Sequence, residues 1–229
     1  MVGSSIKPPK KANKPAGRVL LKIENVCSLS KSQFGTPLTN ITFDLKQGEI
    51  LGIGGVAGNG QDELFAVLSG EQISQKGSIS FNESNITKFT PNQRREIGVL
   101  SAPEERLGHA AAPNMSLIEN ILITAEQSQD LVSSGFIDWK KSKAFAEKVI
   151  KEFDVRTPGS KNTAGSLSGG NLQKFVIGRE ILQNPTVFIV NQPTWGVDAA
   201  AASGKKPTSN AGCPPCCSAA GATYRRSDC

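Results

Sequence analysis

The sequence predicts an α/β domain with a mixed sheet core and a helical insertion. Three observations lead to this fold class. Short strand-like runs alternate with stretches of helical periodicity, as in layered α/β proteins. A glycine-rich turn at 55–60 joins a strand-like run to a helix, and the β-branched and aromatic run 186–190 is typical of a buried parallel strand.

Each element is predicted from its own pattern. Alternating or short apolar runs between polar turns predict strands. Apolar residues spaced three and four apart predict helices, for example Phe145, Val149 and Phe153. The predicted strands are 19–26, 41–45, 49–54, 78–81, 97–101 and 186–190, and the predicted helices are 62–69, 117–126, 139–153 and 171–182. The helical insertion is placed at about 102–165.

The net charge of +6 is concentrated at the two ends of the chain. Residues 1–18 contain five lysines and arginines and no acid, and they predict a flexible basic linker. Residues 203–229 contain few aliphatic residues and predict a tail that is disordered or not native to the domain. Because a nucleic-acid binder concentrates basic residues on its folded part, no nucleic-acid partner is predicted.

The cysteines do not predict a metal site. Cys213 and Cys216 have the spacing of a metal-binding pair, but no second pair or histidine follows them, and His109 is remote in sequence. No apolar stretch is long enough to cross a bilayer, and the N-terminus lacks a secretory h-region. The sequence therefore predicts a cytosolic protein that meets a membrane only through a partner.

The glycine-rich turn has the context of a phosphate-binding loop, between a strand and a helix. Its candidate nucleotide-binding residues are Gly55, Gly58, Asn59, Gly60, Gln61 and Asp62. Gln61 stands where such a loop carries a lysine, and Asp62 where it carries a serine or threonine that holds Mg²⁺. A tight turn without a ligand is the alternative interpretation of this segment.

A second motif carries the resemblance to a known family. Its residues are Leu167, Ser168, Gly169, Gly170, Asn171 and Gln173. This LSGGN-x-Q run closely resembles the signature loop of ABC ATPases, although a plain serine cap before a helix would look similar. The resemblance implies a P-loop NTPase-like ABC domain over 19–202. It also implies that Ser168 and the glycine N–H groups serve ATP held by the opposite domain of a dimer.

The segment after the run 187–190 resembles the family's Walker B motif without its carboxylates. Asn191 and Gln192 stand where the family has Asp and Glu, so no competent catalytic residue is predicted. Gly196, Val197 and Asp198 then resemble the D-loop. No switch histidine follows, and the domain is predicted to be truncated at its C-terminus.

The segment 101–106 resembles the second, degenerate nucleotide-binding domain of importers for simple sugars and nucleosides. That resemblance implies ATP as ligand, with Mg²⁺ at the partner's site. The implied partners are an ABC domain fused upstream and membrane permease subunits at the cytoplasmic face of the membrane. Phe34 is a candidate for stacking on adenine.

Two alternatives remain at this stage. One is a soluble ABC ATPase without a membrane partner, and the other is a non-functional product of a frameshifted gene. The family hydrolyses ATP, but the sequence predicts that this chain's own site is inactive.

Overall fold

A computed structural model describes residues 16–30 and 35–193, together with the backbone of 218–220. The described chain forms two compact units. The sheet unit comprises Ala16–Pro103 and Asn184–Gln192, and the helical unit comprises Glu104–Gln183. In the part of the chain so described, no helix is long and apolar enough to cross a bilayer.

The sheet unit contains a four-stranded antiparallel sheet. Its strands are β1 (Val19–Ser28), β2 (Leu38–Lys46), β3 (Lys76–Phe81) and β4 (Ser84–Asn85), in the order β2-β1-β3-β4. Ile23 of β1 lies opposite Phe43 of β2 and Ile79 of β3. Alternation along β1 places Leu21 and Ile23 on the same buried face, while Leu20 is buried as well and the register shifts between Ile23 and Val26.

A second sheet in the same unit is parallel. It joins β5 (Val99–Ala102), β8 (Val187–Val190) and β9 (Ser218–Ala220), with β8 between the other two. All four residues of β8 are buried, which confirms the predicted buried parallel strand. The short strands β6 (Val132–Ser133) and β7 (Phe136–Ile137) pair with each other in the helical unit.

Helix α1 (Gln61–Ser69) supplies the side chains that fill the core of the sheet unit. Leu64, Phe65, Val67 and Leu68 are buried and belong to one cluster with residues of both sheets. That cluster includes Ile79 and Ile189. Because α1 follows the glycine-rich turn directly, the packing of its apolar face fixes where that turn lies.

The predicted strand at 49–54 does not form. Only Gly54 makes an isolated bridge, and Ile50 is 74% exposed. Leu51 and Ile53 still pack against the core of the sheet unit. The prediction was wrong because an apolar run becomes a strand only when it pairs with a neighbour over several residues, and within the described residues this segment joins none of the sheets.

Arg94, in helix α2 (Pro91–Glu96), is 1% exposed. Its guanidinium donates to the carbonyls of Val67 and Leu68 at the end of α1, and to those of Ile86 and Phe89. Burial lowers the pKa of Arg94 to about 10. The side chain satisfies carbonyls that the last turn of α1 leaves without helical partners.

The helical unit packs three helices, α3 (Leu117–Ala125), α4 (Trp139–Glu152) and α5 (Gly169–Ile181). Each helix contacts the other two. Helix α3 begins with a capping box in which Ser116 and Glu119 satisfy each other's backbone N–H groups. Gly178 of α5 lies against the ring of Phe153, the residue that caps the end of α4.

A buried ion pair joins α5 to α3. Arg179 donates to the Glu180 carboxylate at 2.9 Å and to the backbone carbonyls of Asn120 and Ala110 at 2.8 Å. Thr124 of α3 donates to the same carboxylate at 2.8 Å. These bonds fix the C-terminal half of α5, and its N-terminus carries the second predicted motif.

Candidate functional site

The six predicted nucleotide-binding residues lie together in one exposed turn and the first residues of α1. Gly58 and Gly60 have φ values of 87° and 95°, a region that residues with a side chain rarely adopt. The Thr36 hydroxyl donates to the Gly58 carbonyl at 2.8 Å and ties the turn to the start of β2. Gly60 begins α1 without a side-chain cap.

The Gln61 side chain folds back onto this turn. Its Nε2 donates to the Val56 carbonyl at 3.0 Å, and its Oε1 accepts from the Asn59 N–H at 3.0 Å. A Cβ atom at Gly55 would lie 2.7 Å from Gln61 Nε2, so the glycine is what leaves room for the amide. Both ends of the carboxamide are therefore used inside the turn.

The neighbouring Asp62 accepts a hydrogen bond from Asn191, which belongs to the second sequence segment of the sheet unit. Asn191 Nδ2 donates to Asp62 Oδ1 at 2.8 Å, across 129 residues of chain. The Asn191 backbone N–H donates to the Ala102 carbonyl at 3.0 Å, which fixes it at the end of β8. Gln192 follows with an exposed side chain and a φ of 47°.

The second motif lies at the N-terminus of α5. Ser168 is exposed and precedes the helix, but its hydroxyl does not cap it; instead it accepts from Asn171 Nδ2 at 2.9 Å. The Asn171 Oδ1 accepts from the Arg156 N–H at 2.9 Å. Asn171 thus holds Ser168 at the surface, which excludes the plain serine cap as an account of this motif.

Other members of the motif have different positions. Gly169 is exposed, and its carbonyl accepts from Arg106 at 3.1 Å. Leu167 and Gly170 are half-buried. Gln173 is only 3% exposed, and its Nε2 has no hydrogen-bond partner within the described ranges, so it is a core residue of the helical unit rather than a surface group.

Sequence reasoning grouped Arg106 with a motif but did not predict its contact. The guanidinium lies against the signature-like turn, where a Cβ atom at Gly169 would be 3.0 Å from Arg106 Nη1. The signal in the sequence was the arginine at the end of the run 101–106. Arg106 therefore adds a positive charge beside the exposed Ser168.

The two helix N-termini differ in charge. The first turn of α1 carries Asp62 and Glu63, whereas the first turn of α5 carries no acidic residue. A helix N-terminus attracts anions, but carboxylates in the first turn already compensate its dipole. The start of α5, with Arg106 beside it, is therefore the better anion site of the two.

Several predictions fall outside the described residues. They are the D-loop residues Gly196, Val197 and Asp198, the adenine-stacking candidate Phe34, the linker residues 1–15 and the tail cysteines. In the described part of the chain, no group of three or more His, Cys, Asp or Glu side chains is arranged to hold a metal ion.

A comparison with models of protein families identifies the family of this chain. The family model described as ABC transporter matches residues 38–195, which is more than half of the chain. The chain belongs to the ABC transporter family. This confirms the resemblance on which the signature loop and the degenerate Walker segments were interpreted.

Curated ABC relatives give the same result. The nucleoside import ATP-binding protein NupA of Lactococcus lactis is 36% identical over 203 residues, which cover 88% of this chain and 40% of that protein. The glucose import ATP-binding protein TsgD13 of Haloferax volcanii is 34% identical over 81% of this chain and 34% of its own length. The chain thus spans well under half the length of these relatives.

Solved structures confirm the fold. An ATP-binding cassette dimer in a post-hydrolysis state, bound to ADP and Pi, has a TM-score of 0.65 and 20% identity. It covers 80% of this chain, which covers 78% of that structure. A nucleotide-free cassette has a TM-score of 0.61 and 21% identity over 81% of this chain and 73% of that structure. The predicted ABC ATPase fold class is therefore correct.

The side chains of the chain's own Walker segments differ from the lysine, hydroxyl and carboxylates expected where ABC domains bind Mg²⁺ and ATP. The amide of Gln61 is bonded within the loop where a lysine would neutralise phosphate. The Asp62 carboxylate would repel a phosphate charge about 4 Å away by ~4 kcal/mol at an effective dielectric near 20, and a Mg²⁺ ion between the two would reverse the sign of this interaction. Asn191 turns its N–H₂ group, rather than an anionic oxygen, toward Asp62, and Gln192 cannot accept a proton from water.

Proposed function

We propose that this chain is a non-hydrolysing nucleotide-binding domain of an ABC importer for simple sugars or nucleosides. Its signature loop completes the ATP site of a competent partner domain. The observation that carries the proposal is the exposed Ser168 at the start of α5, in a helix turn without acidic residues. The first turn of α1 instead carries two acidic residues, which supports placing ATP hydrolysis in the partner domain.

Three kinds of group at the signature loop suit a γ-phosphate of the partner's ATP. The Ser168 hydroxyl is a donor held at the surface by Asn171. The N–H groups of Gly169 and Gly170 lie in the first turn of α5, where the helix dipole favours an anion. Arg106 contributes a positive charge from the adjoining turn. ATP and Mg²⁺ are thus bound at the partner's Walker motifs and contacted by this loop.

The substrate class and the partners rest on the relatives. Their printed names describe import of nucleosides, guanosine, glucose and galactosides. The relatives are more than twice as long as the matched segment, which supports a second ABC domain in the same polypeptide, fused upstream of this one. Permease subunits would place the assembly at the cytoplasmic face of the membrane. Co-purification of this chain with a permease would support the assignment, whereas a soluble ABC ATPase would purify without one.

The lending role is tested by changing Ser168→Ala in the assembled transporter and measuring steady-state ATP hydrolysis. Loss of one donor to the developing phosphate charge is expected to lower the partner's turnover by about 100-fold. Ser166→Ala is the matched control, because Ser166 is exposed two residues away and its hydroxyl only donates to the Thr163 carbonyl. Unchanged hydrolysis in the Ser168 variant would refute the lending role.

A further inference from the structure

We infer that the degenerate glycine loop is closed by the chain's own amides. The Gln61 carboxamide takes the hydrogen-bonding place of a phosphate, and the Asn191–Asp62 hydrogen bond takes the place of a metal bridge. The loop is thereby held in shape without nucleotide or cation. This inference deepens the proposed function and rests on its assumption that the loop is catalytically idle.

Gln61 accepts from one of the backbone N–H donors of the glycine-rich loop. In a phosphate-binding loop, backbone N–H groups converge on phosphate oxygens. Here the Asn59 N–H donates to Gln61 Oε1 at 3.0 Å, and the other end of the same amide donates to the Val56 carbonyl. The same N–H also donates to the Val56 carbonyl at 3.2 Å, so a phosphate could take it only after Gln61 had moved away and the turn had adjusted. The glutamine therefore competes with an anionic ligand for the loop.

Asp62 and Asn191 form a hydrogen bond whose direction is fixed by their chemistry. A carboxylate only accepts hydrogen bonds, so the amide group that lies 2.8 Å from Asp62 Oδ1 must be the N–H₂ of Asn191. The hydrogens of this N–H₂ group carry partial positive charge and point at the Asp62 carboxylate. They take the position that a cation would occupy if residues 62 and 191 were both carboxylates. The hydrogen bond joins the first turn of α1 to the end of β8 without a metal.

Both partners of this hydrogen bond belong to segments that are fixed by the core of the sheet unit. Asn191 is 9% exposed, and its backbone is bonded to Ala102 at the end of β5. Asp62 belongs to the helix whose Leu64 and Phe65 are buried in the core of the sheet unit. Since both partners lie on rigid elements, the pair holds the loop at a fixed place beside the parallel sheet.

The pair is tested by exchanging its members in the full 229-residue chain. Asn191→Asp places two carboxylates together, and Asp62→Asn places two amides together. Asn191→Asp should lower the Tm in EDTA by about 5 °C, whereas Asp62→Asn, whose amide oxygen still accepts from Asn191, should lower it by less. The double exchange, Asp62→Asn with Asn191→Asp, restores one amide and one carboxylate and should recover most of that loss. Glu83→Gln and Asn184→Asp control for the charge changes, since both side chains are exposed in the sheet unit.

Mn²⁺ is the probe that separates this pair from a merely structural contact. Asn191→Asp alone creates a two-carboxylate site, so millimolar Mn²⁺ should restore its Tm. The original chain and the double exchange should show no shift with Mn²⁺. A rise in the Tm of the original chain with Mn²⁺, or a double exchange no more stable than Asn191→Asp, would overturn the inference.

Gln61 is tested separately by amide exchange. Gln61→Ala removes one of the two acceptors of the Asn59 N–H, the other being the Val56 carbonyl at 3.2 Å. It should speed the exchange of this N–H severalfold, with the helical N–H of Leu64 as internal reference. An unchanged Asn59 rate would contradict the closure of the loop by Gln61. None of these measurements involves Ser168 or the partner's turnover, so either proposal can fail without the other.

Discussion

Gly178 is the position at which one methyl group should test the packing behind the signature loop. A Cβ atom at this residue would lie 2.6 Å from Phe153 Cδ2 and 2.7 Å from its Cγ. Real Cβ atoms do not approach so closely, so Gly178→Ala must displace the ring or the helix. Overpacking of this kind costs about 1–3 kcal/mol. Replacing glycine inside a helix returns about 0.5–1 kcal/mol.

The difference predicts that Gly178→Ala lowers the free energy of unfolding by about 1–2 kcal/mol. The assay is urea unfolding followed by circular dichroism. In a chain that also carries Phe153→Leu, the ring is gone and the same change should be neutral or stabilising. Gly159→Ala is the control, because a Cβ atom there meets nothing within 4 Å. Equal effects of Gly178→Ala with and without Phe153→Leu would refute the steric argument.

Two further predictions concern stability. Arg94→Met leaves buried carbonyls at the end of α1 without a donor and should lower the free energy of unfolding by about 3 kcal/mol. The exposed Arg156→Met should change it by less than about 0.5 kcal/mol, and equal losses would contradict this account. The hydrogen bond from Ser116 holds the pKa of Glu119 below its usual 4.5, so its contribution is present above that pH and lost as pH falls through the folded pKa. Ser116→Ala should therefore cost about 1 kcal/mol at pH 7 and less at pH 3, as measured by thermal unfolding at both pH values.

Local signals predicted the elements that position the site. The apolar periodicity of α1 and the β-branched run of β8 each decide their structure within a few residues, and both form close to their predicted bounds. The strand at 49–54 depends on a neighbour elsewhere in the chain, so its apolar run alone misled the prediction. Helix α2 was missed because six residues are too few to show a period.

The candidate site was predicted only in part, because some of its contacts join residues that are far apart in the sequence. The residue types of Gln61, Asp62 and Asn191 led to the prediction that the site lacks the usual chemical groups. They did not show that their amides and carboxylate bond to one another, because Asp62 and Asn191 are separated by 129 residues. The burial of Gln173 was also invisible in the motif, since a glutamine in a polar run gives no sign of facing a core.

The bond between Asn191 and Asp62 has a consequence for the history of this domain. A mutation that returns Asn191 alone to aspartate sets two carboxylates against each other, and one that returns Asp62 alone to serine leaves the asparagine without its carboxylate partner. Each single reversion therefore passes through a less stable protein. For a domain that is non-hydrolysing as proposed, neither single reversion is a stable step back toward the usual catalytic groups.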